Sequence, residues 1–372
     1  MDKPIGTGPS ERHQTTGCSG LGATCAIPIV AIEQLGHLLP MLPHTTSSLF
    51  PIPTGWQALH YVILADDTLA VAATDVDLDT EWARILGSGW PVDPPSRIDQ
   101  LTERGRARLL TGREGSWEEG AIFPLETPHP LVDRFADGRW LVVGSRTGSE
   151  PNARVLAPDG ALLDRFMLGD GIEHIAIDDK DRIWVCWFDE GIFGEGWSVP
   201  GRECPPSRNG VACFAQDGSV VDVPSWPKDA GVIADCYALT PSGSGVWMSP
   251  YTDFPLVRFV PGMPTRWWRS KLNGPDAIAV DGPYALVAGG YRDDAARLAL
   301  VQVNGSGNGE EAALLATWRM PLRSAPPAQN DEGPVWKSPT LLTGRGDTIH
   351  LIDDDMWHRW RVADAVSARQ DP

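Results

Sequence analysis

Three acidic residues occupy matching places in this chain, each at the start of an apolar run. Glu173 leads into His174-Ile175-Ala176-Ile177, Asp235 into Cys236-Tyr237-Ala238-Leu239, and Asp276 into Ala277-Ile278-Ala279-Val280. Carboxylates are hard oxygen ligands, so three that converge on one point would hold a divalent cation such as Ca²⁺ or Mg²⁺. A cation held in this way polarises a carbonyl or lowers the pKa of a coordinated water. His174 and His129 are the imidazoles nearest such segments, and with Glu173 they form the candidate catalytic set, because an imidazole or a poised carboxyl moves protons near neutral pH.

A second group follows the apolar runs instead of leading into them. It comprises Arg146, Trp187, Asp189, Glu190, Tyr251, Asp253, Tyr291, Arg292 and Trp357, and with Asp235 it makes the candidate ligand-binding set. Apolar walls with a few convergent polar groups are the make-up of a working pocket. Taken singly, each of these residues has a structural alternative, since an Asp at a strand end commonly accepts bonds from local amides.

Such residues meet only if the elements that carry them are arranged round an axis, and the chain shows that arrangement as a repeat. An apolar strand, a tight polar turn and a second apolar strand recur at Leu59–Ala73, Leu131–Gly144, Ile172–Trp187, Ile233–Met248, Ala277–Gly289 and Thr340–Ile352. Turns such as Ala136-Asp137-Gly138 and Asp178-Asp179-Lys180-Asp181 have hairpin chemistry. The spacing of roughly 40 to 70 residues is that of propeller blades with insertions. Third strands are expected at Ala153–Leu156, Gly210–Phe214, Leu256–Val260 and Leu298–Val303, and fourth strands at Leu162–Met167 and Thr265–Arg269.

The predicted fold is therefore an all-β propeller of six four-stranded antiparallel blades. Residues 1–26 read as a flexible leader and 27–372 as one domain. Ile27–Gln34 is expected to return and close the ring, and the irregular stretches near 88–126, 195–209 and 304–337 read as surface insertions. In this topology the turns within the six hairpins share one face, and they are short and bland. The lead-in and exit loops share the other, and they carry the acids, aromatics, arginines and histidines named above.

The formal net charge of -18 repels phosphate backbones and excludes nucleic acid as a main partner. No apolar run reaches the roughly 20 residues of a membrane span. The six cysteines show no CxxC spacing. Cys186 and Cys213 fall inside strands and read as small core residues, so a reduced, cytoplasmic setting is expected. Of the 16 tryptophans, Trp140, Trp184 and Trp247 lie on second strands and read as core. Trp187, Trp197, Trp336 and Trp357 lie nearer the loop face, where an aromatic pocket would take a sugar or an organic cation.

The segment Asn273-Gly274-Pro275-Asp276-Ala277-Ile278-Ala279-Val280-Asp281 resembles the strand-start motif of six-bladed propellers related to senescence marker protein, gluconolactonases and strictosidine synthase-like proteins. In metal-dependent members, an aspartate of a Pro-Asp-Gly motif helps hold a divalent cation over the channel. The resemblance makes Asp276 the matching ligand. It covers under ten residues, and Ala277 stands where those enzymes carry Gly. A matching N-terminal glutamate and a Pro-Asn-Gly motif are both missing, so the implied fold carries over and the lactonase activity does not. Propellers of the NHL type use similar strand starts without metal. The stretches 169–194 and 235–259 resemble bacterial propeller proteins of WD40-like type without an assigned reaction.

The sequence thus points to a propeller that binds a small molecule in its loop-face channel, with metal-assisted hydrolase or lyase chemistry there. The alternative is a non-enzymatic scaffold that holds a protein or peptide on the same face. Whether it is an enzyme is left open at this level.

Overall fold

Alternating apolar runs with turn residues between them form antiparallel hairpins, and a twisted hairpin with one face buried must pack that face against a neighbour. Here the neighbours are further copies of the same unit. The computed structural model describes residues 39–78, 80, 95–113, 115–148, 150–194, 197, 203–322, 341–353 and 355–369. Leu39–Pro372 forms one compact unit.

A short strand, β1 (Thr45–Ser48), precedes the first blade. Blade 1 is β2 (Gln57–Ile63), β3 (Leu69–Thr74), β4 (Arg106–Arg113) and β5 (Ser116–Pro124). Blade 2 is β6 (Pro130–Arg134), β7 (Trp140–Gly144), β8 (Ala153–Leu156) and β9 (Leu162–Phe166). Blade 3 is β10 (Ile172–Ile177), β11 (Ile183–Trp187), β12 (Val211–Phe214) and β13 (Val220–Asp222). Blade 4 is β14 (Asp235–Ser242), β15 (Gly245–Tyr251), β16 (Leu256–Phe259) and β17 (Arg266–Arg269).

Blade 5 is β18 (Ala277–Asp281), β19 (Tyr284–Ala288), β20 (Arg297–Gln302) and β22 (Ala313–Arg319), and β21 (Asn308–Glu311) leaves it to pair in parallel with β17 on the outer edge of blade 4. Blade 6 is β23 (Leu341–Arg345), β24 (Thr348–Asp353) and β25 (Met356–Arg361), completed by β1 as its outermost strand. The six predicted hairpins are the six inner strand pairs.

Two boundaries differ from the sequence reading. The ring is closed by Thr45–Ser48 against β25, whereas the expected closing strand Ile27–Gln34 lies outside the described residues. A closing strand on an outer edge packs on one side only, so it needs little hydrophobicity, and the polar Thr-Thr-Ser-Ser serves. The stretches read as insertions near 88–126 and 304–337 contain β4, β5, β21 and β22. Outer strands face solvent, so runs such as Ser116–Pro124 are polar enough to pass for loop.

Blades adhere through the apolar faces between them. Trp184 and Trp187 on β11, Trp268 on β17 and Trp360 on β25 are fully buried. Trp140 and Trp247 are buried as expected of core residues. Turn chemistry recurs as well: Gly138 adopts φ +89° in the β6–β7 turn, a left-handed backbone that glycine takes without steric cost. In the β10–β11 turn, the Asp178 carboxylate accepts bonds from the Lys180 and Arg182 amides, the Arg182 guanidinium and the Trp184 indole.

At the turn face the axis is crossed by side chains and backbone from several blades. Arg345 of β23 donates to Asp133 of β6 at 3.1 Å and to the Ile177 carbonyl of β10 at 2.9 Å. The Gly346 backbone beside it bonds Val280 and Pro241, in blades 5 and 4. Thr240 donates to the Ile278 carbonyl at 2.6 Å. The channel is therefore filled at this end, and any site on the axis must open toward the loop face.

Candidate functional site: the loop-face mouth of the channel

The first strand of each blade starts at the loop face, and three of these starts share a distortion. The ladder skips a residue between Ala58 and His60 in β2, between Ile172 and His174 in β10, and between Cys236 and Ala238 in β14. A bulge inserts an extra residue and re-aims the side chains around it. Strict alternation would send Glu173 and His174 to opposite faces. With the bulges, Glu173 and His174 line one cavity together with Asp235, Cys236, Tyr237, Asp276 and Leu342. Its volume is about 350 Å³.

The electrostatics of this cavity are unusual. Burial pushes the Asp235 carboxyl up to about 6, and the nearby charges of Glu173 and Asp189 push the same way, against the Cys236 amide bond and His174. Glu173 opens to the cavity yet has protein around its carboxyl, and that burial raises it as well. Burial lowers His174, opposed by a hydrogen bond to the Tyr237 backbone and by Asp235. Tyr237 is raised by burial and by its contact with Tyr291, whose hydroxyl lies 2.7 Å from its own. Behind His174 sits His60, pushed down to about 4 by burial and then by His174 itself. Desolvation thus keeps both imidazoles neutral and favours protons on the acids.

Asp276 is pushed up to about 6 by burial, opposed by the Gly290 amide bond and by Arg297. That amide bond turns its carboxylate toward its own blade: a Cβ on Gly289 would lie 2.1 Å from its Oδ2. Glu173, Asp235 and Asp276 face one cavity; among the described residues no three His, Cys, Asp or Glu side chains gather as a metal-binding group.

An aromatic ledge borders the acids. Tyr237 meets Phe254 and Tyr291 edge-on, with centroids 5.0 and 5.9 Å away, and Tyr251 lies 5.6 Å from Phe254. Tyr251 and Tyr291 are 44% and 46% exposed, so this ledge carries apolar surface to the mouth.

Other residues singled out in the sequence lie elsewhere. Trp187 is wholly buried and donates to the Leu168 carbonyl; its strand end points into the seam between blades. Trp357 stacks on His350, with the Arg359 guanidinium over its ring, near Ile63, Leu69 and Ile352 in the seam between blades 6 and 1. Arg146 is engaged by Asp170 and Glu190, which staples blade 2 to blade 3 at the rim. His129 stands on that rim within reach of the Arg146 charge, outside the cavity wall. Asp189 is exposed at the start of the helix Asp189–Phe193, and Asp253 lies against Gly231. The Arg292 side chain and Trp336 lie outside the described residues.

Cys186 and Cys236 are joined by a disulfide, which corrects the reading of Cys186 as a plain core thiol. His60 was missed as well. Its trace in the sequence is the pair Leu59-His60, which matches Glu173-His174 at the start of the equivalent strand. A second cavity, of about 210 Å³, opens between the outer strands of blades 1 and 2, lined by Leu109, Arg113, Glu118, Arg134 and Trp140 among others. It lacks convergent groups of this kind.

The geometry defines a six-bladed propeller with a blind, acid-lined pocket at its loop face. No family model matches this chain, and no curated protein sequence does. Among solved structures it is similar to virginiamycin B lyase from Staphylococcus aureus with quinupristin, at 10% identity over 85% of this chain and 99% of that one, with a TM-score of 0.46. A gluconolactonase-like protein gives 14% identity over 85% and 98%, with a TM-score of 0.40. A functionally unknown protein from Desulfotomaculum acetoxidans gives 14% over 74% and 77%, with a TM-score of 0.45. These are similarities of fold. No helix among the described residues is long and apolar enough to cross a membrane.

Proposed function

We propose that the channel mouth binds a neutral or cationic small molecule and moves protons on it, as a hydrolase or lyase does, with Asp235, Glu173 and His174 as the proton-handling groups. One observation carries this reading. In a single blind cavity the carboxyl of Asp235 is driven up to about 6 while the neighbouring His174 imidazole is driven down. Groups whose environments bring an acid and a base toward the same pH can exchange protons with a substrate at little cost. The wall holds three carboxyls and no Lys or Arg, so an anionic ligand meets repulsion. Tyr251 and Tyr291 offer ring faces to an apolar or cationic part of the ligand.

A thermal-shift screen of small amines, esters and lactones, followed by turnover assays on the hits, tests this. Asp235→Asn and His174→Gln should each abolish the response to a hit while the fold is kept. A hit that both variants retain unchanged would show that the cavity is not its site.

The second reading, a scaffold for a protein or peptide, is favoured by exposed Phe193 (53%) and Val232 (58%) beside Tyr251 and Tyr291 on the same face. Exposed aromatics are typical binding hot spots. There, Tyr251→Ala and Tyr291→Ala would remove partner binding while Asp235→Asn would leave it intact.

A further inference from the structure

We propose that Cys186 and Cys236 form a redox-modification site whose state sets the position of the pocket residues Asp235 and Tyr237. The bond joins β11 of blade 3 to β14 of blade 4, across the seam between blades and over a sequence separation of 50. Cys236 stands between Asp235 and Tyr237, and all three line the cavity. The same short segment is where the β14–β15 ladder is irregular. Asp235 pairs with Tyr251 and Cys236 with Pro250, after which the register skips to Ala238 and Ser249. Pro250 has no amide hydrogen to give, and the bulge leaves a residue unpaired. Backbone bonds from the Ala234 amide to the Tyr251 carbonyl and from the Thr252 amide to the Val232 carbonyl hold the segment just before the bulge, and the covalent tether to blade 3 adds a hold at the bulge itself.

Both cysteines are buried, and Cys236 is one of the residues that line the cavity. Cys213 is buried with its thiol pushed up to about 12, which suppresses the thiolate, and Cys204 is free on the surface.

The chemistry is thiol–disulfide exchange with a dithiol reductant. A reductant thiolate attacks one sulfur and the other leaves as a thiolate that takes up a proton. The reductant's second thiol then displaces the first cysteine. Two electrons and two protons pass to the protein, and the reductant becomes a disulfide. In the reduced state Asp235 and Tyr237 are untethered. The loss of ligand affinity that follows rests on the reading of the cavity given above; the hold of the bond on its segment does not.

Hydrogen exchange read by mass spectrometry, on the full chain with and without dithiothreitol, tests the proposal without any ligand. Alkylation of the native reduced protein should label Cys186 and Cys236. Exchange over 232–240 should rise about tenfold or more, while 130–144 in blade 2 stays unchanged. The paired variant Cys186→Ser/Cys236→Ser should match the reduced protein. If that variant does not fold, reduced wild-type protein still gives the result. A bond that dithiothreitol opens only in denaturant, an unchanged segment 232–240, or a ring that loosens as a whole would each overturn the proposal.

Discussion

The Arg345 guanidinium of blade 6 lies 3.1 Å from the Asp133 carboxylate of blade 2, and both grip the backbone of one residue of blade 3, Ile177. The Ile177 amide donates to Asp133 at 2.7 Å, and its carbonyl accepts from Arg345 at 2.9 Å. Three blades are bridged at this point.

Removing one partner strands a buried charge. Asp133→Ala should therefore destabilise by about 3–5 kcal/mol, whereas replacing the pair by Asp133→Leu with Arg345→Met should cost less, about 1–3 kcal/mol, because only the Ile177 amide and carbonyl are left unpaired. Urea denaturation of the two proteins measures the difference. Equal losses in both would mean that the pair does not act as a unit.

Gly344 and Gly346 lie two residues apart on the same hairpin, yet they should respond differently to alanine. A Cβ at Gly344 would lie 1.7 Å from the Ile278 carbonyl oxygen, a clash between backbones of blades 5 and 6 that only a shift of the blades relieves. Gly344→Ala should cost more than about 3 kcal/mol or prevent folding. At Gly346 the space is open and only the φ of +55° resists a side chain, so Gly346→Ala should cost about 1 kcal/mol. Thermal melts of both variants decide it.

The pocket acids give a pH dependence of stability with a definite sign. Asp235 and Asp276 titrate near 6 when folded, above the ordinary 3.8. Their contribution is therefore fully present below about 3.8 and is lost as pH rises through about 6. Asp235→Asn should raise the melting temperature at pH 8 by roughly 1–3 °C and change it little at pH 4. Melts across that range provide the check, and a variant no more stable than wild type at pH 8 would contradict the raised pKa.

Buried imidazoles act in the opposite direction. His350 is pushed down to about 3 by burial and by Arg359 and Arg345, and His60 to about 4. The Trp357 indole donates to His350 Nδ1 at 3.3 Å, which requires the neutral ring. Their contribution is present above the ordinary 6.5 and is lost progressively as pH falls toward the folded values. His350→Phe should flatten the acid limb of the stability curve by up to about 3 kcal/mol at pH 4. An acid limb identical to wild type would assign the sensitivity elsewhere.

Much of the architecture was legible because hairpin chemistry is local. Asp137-Gly138 and the Asp178 turn announce themselves through residues that only tight turns favour, and the apolar strands beside them are buried on both faces. The site was legible only in outline. Glu173, His174, Asp235 and Asp276 were picked out because they lead into such strands, and the fold brings them to one cavity. Trp187 and Trp357 were misplaced because a strand end alone does not tell a channel from a seam between blades. The disulfide escaped because fifty intervening residues hide a contact that only blade stacking creates.

What the sequence determined by itself is the repeat: six hairpins whose turns and alternation leave a propeller as the natural way to bury every apolar face. What only the tertiary structure decided is the inside of the ring. The bulges at Leu59, Glu173 and Tyr237, the Arg345–Asp133 crossing and the Cys186–Cys236 bond depend on how blades approach across the axis. A side chain's desolvation, and with it the chemistry of Asp235 and His174, is set by neighbours that lie far away in the chain.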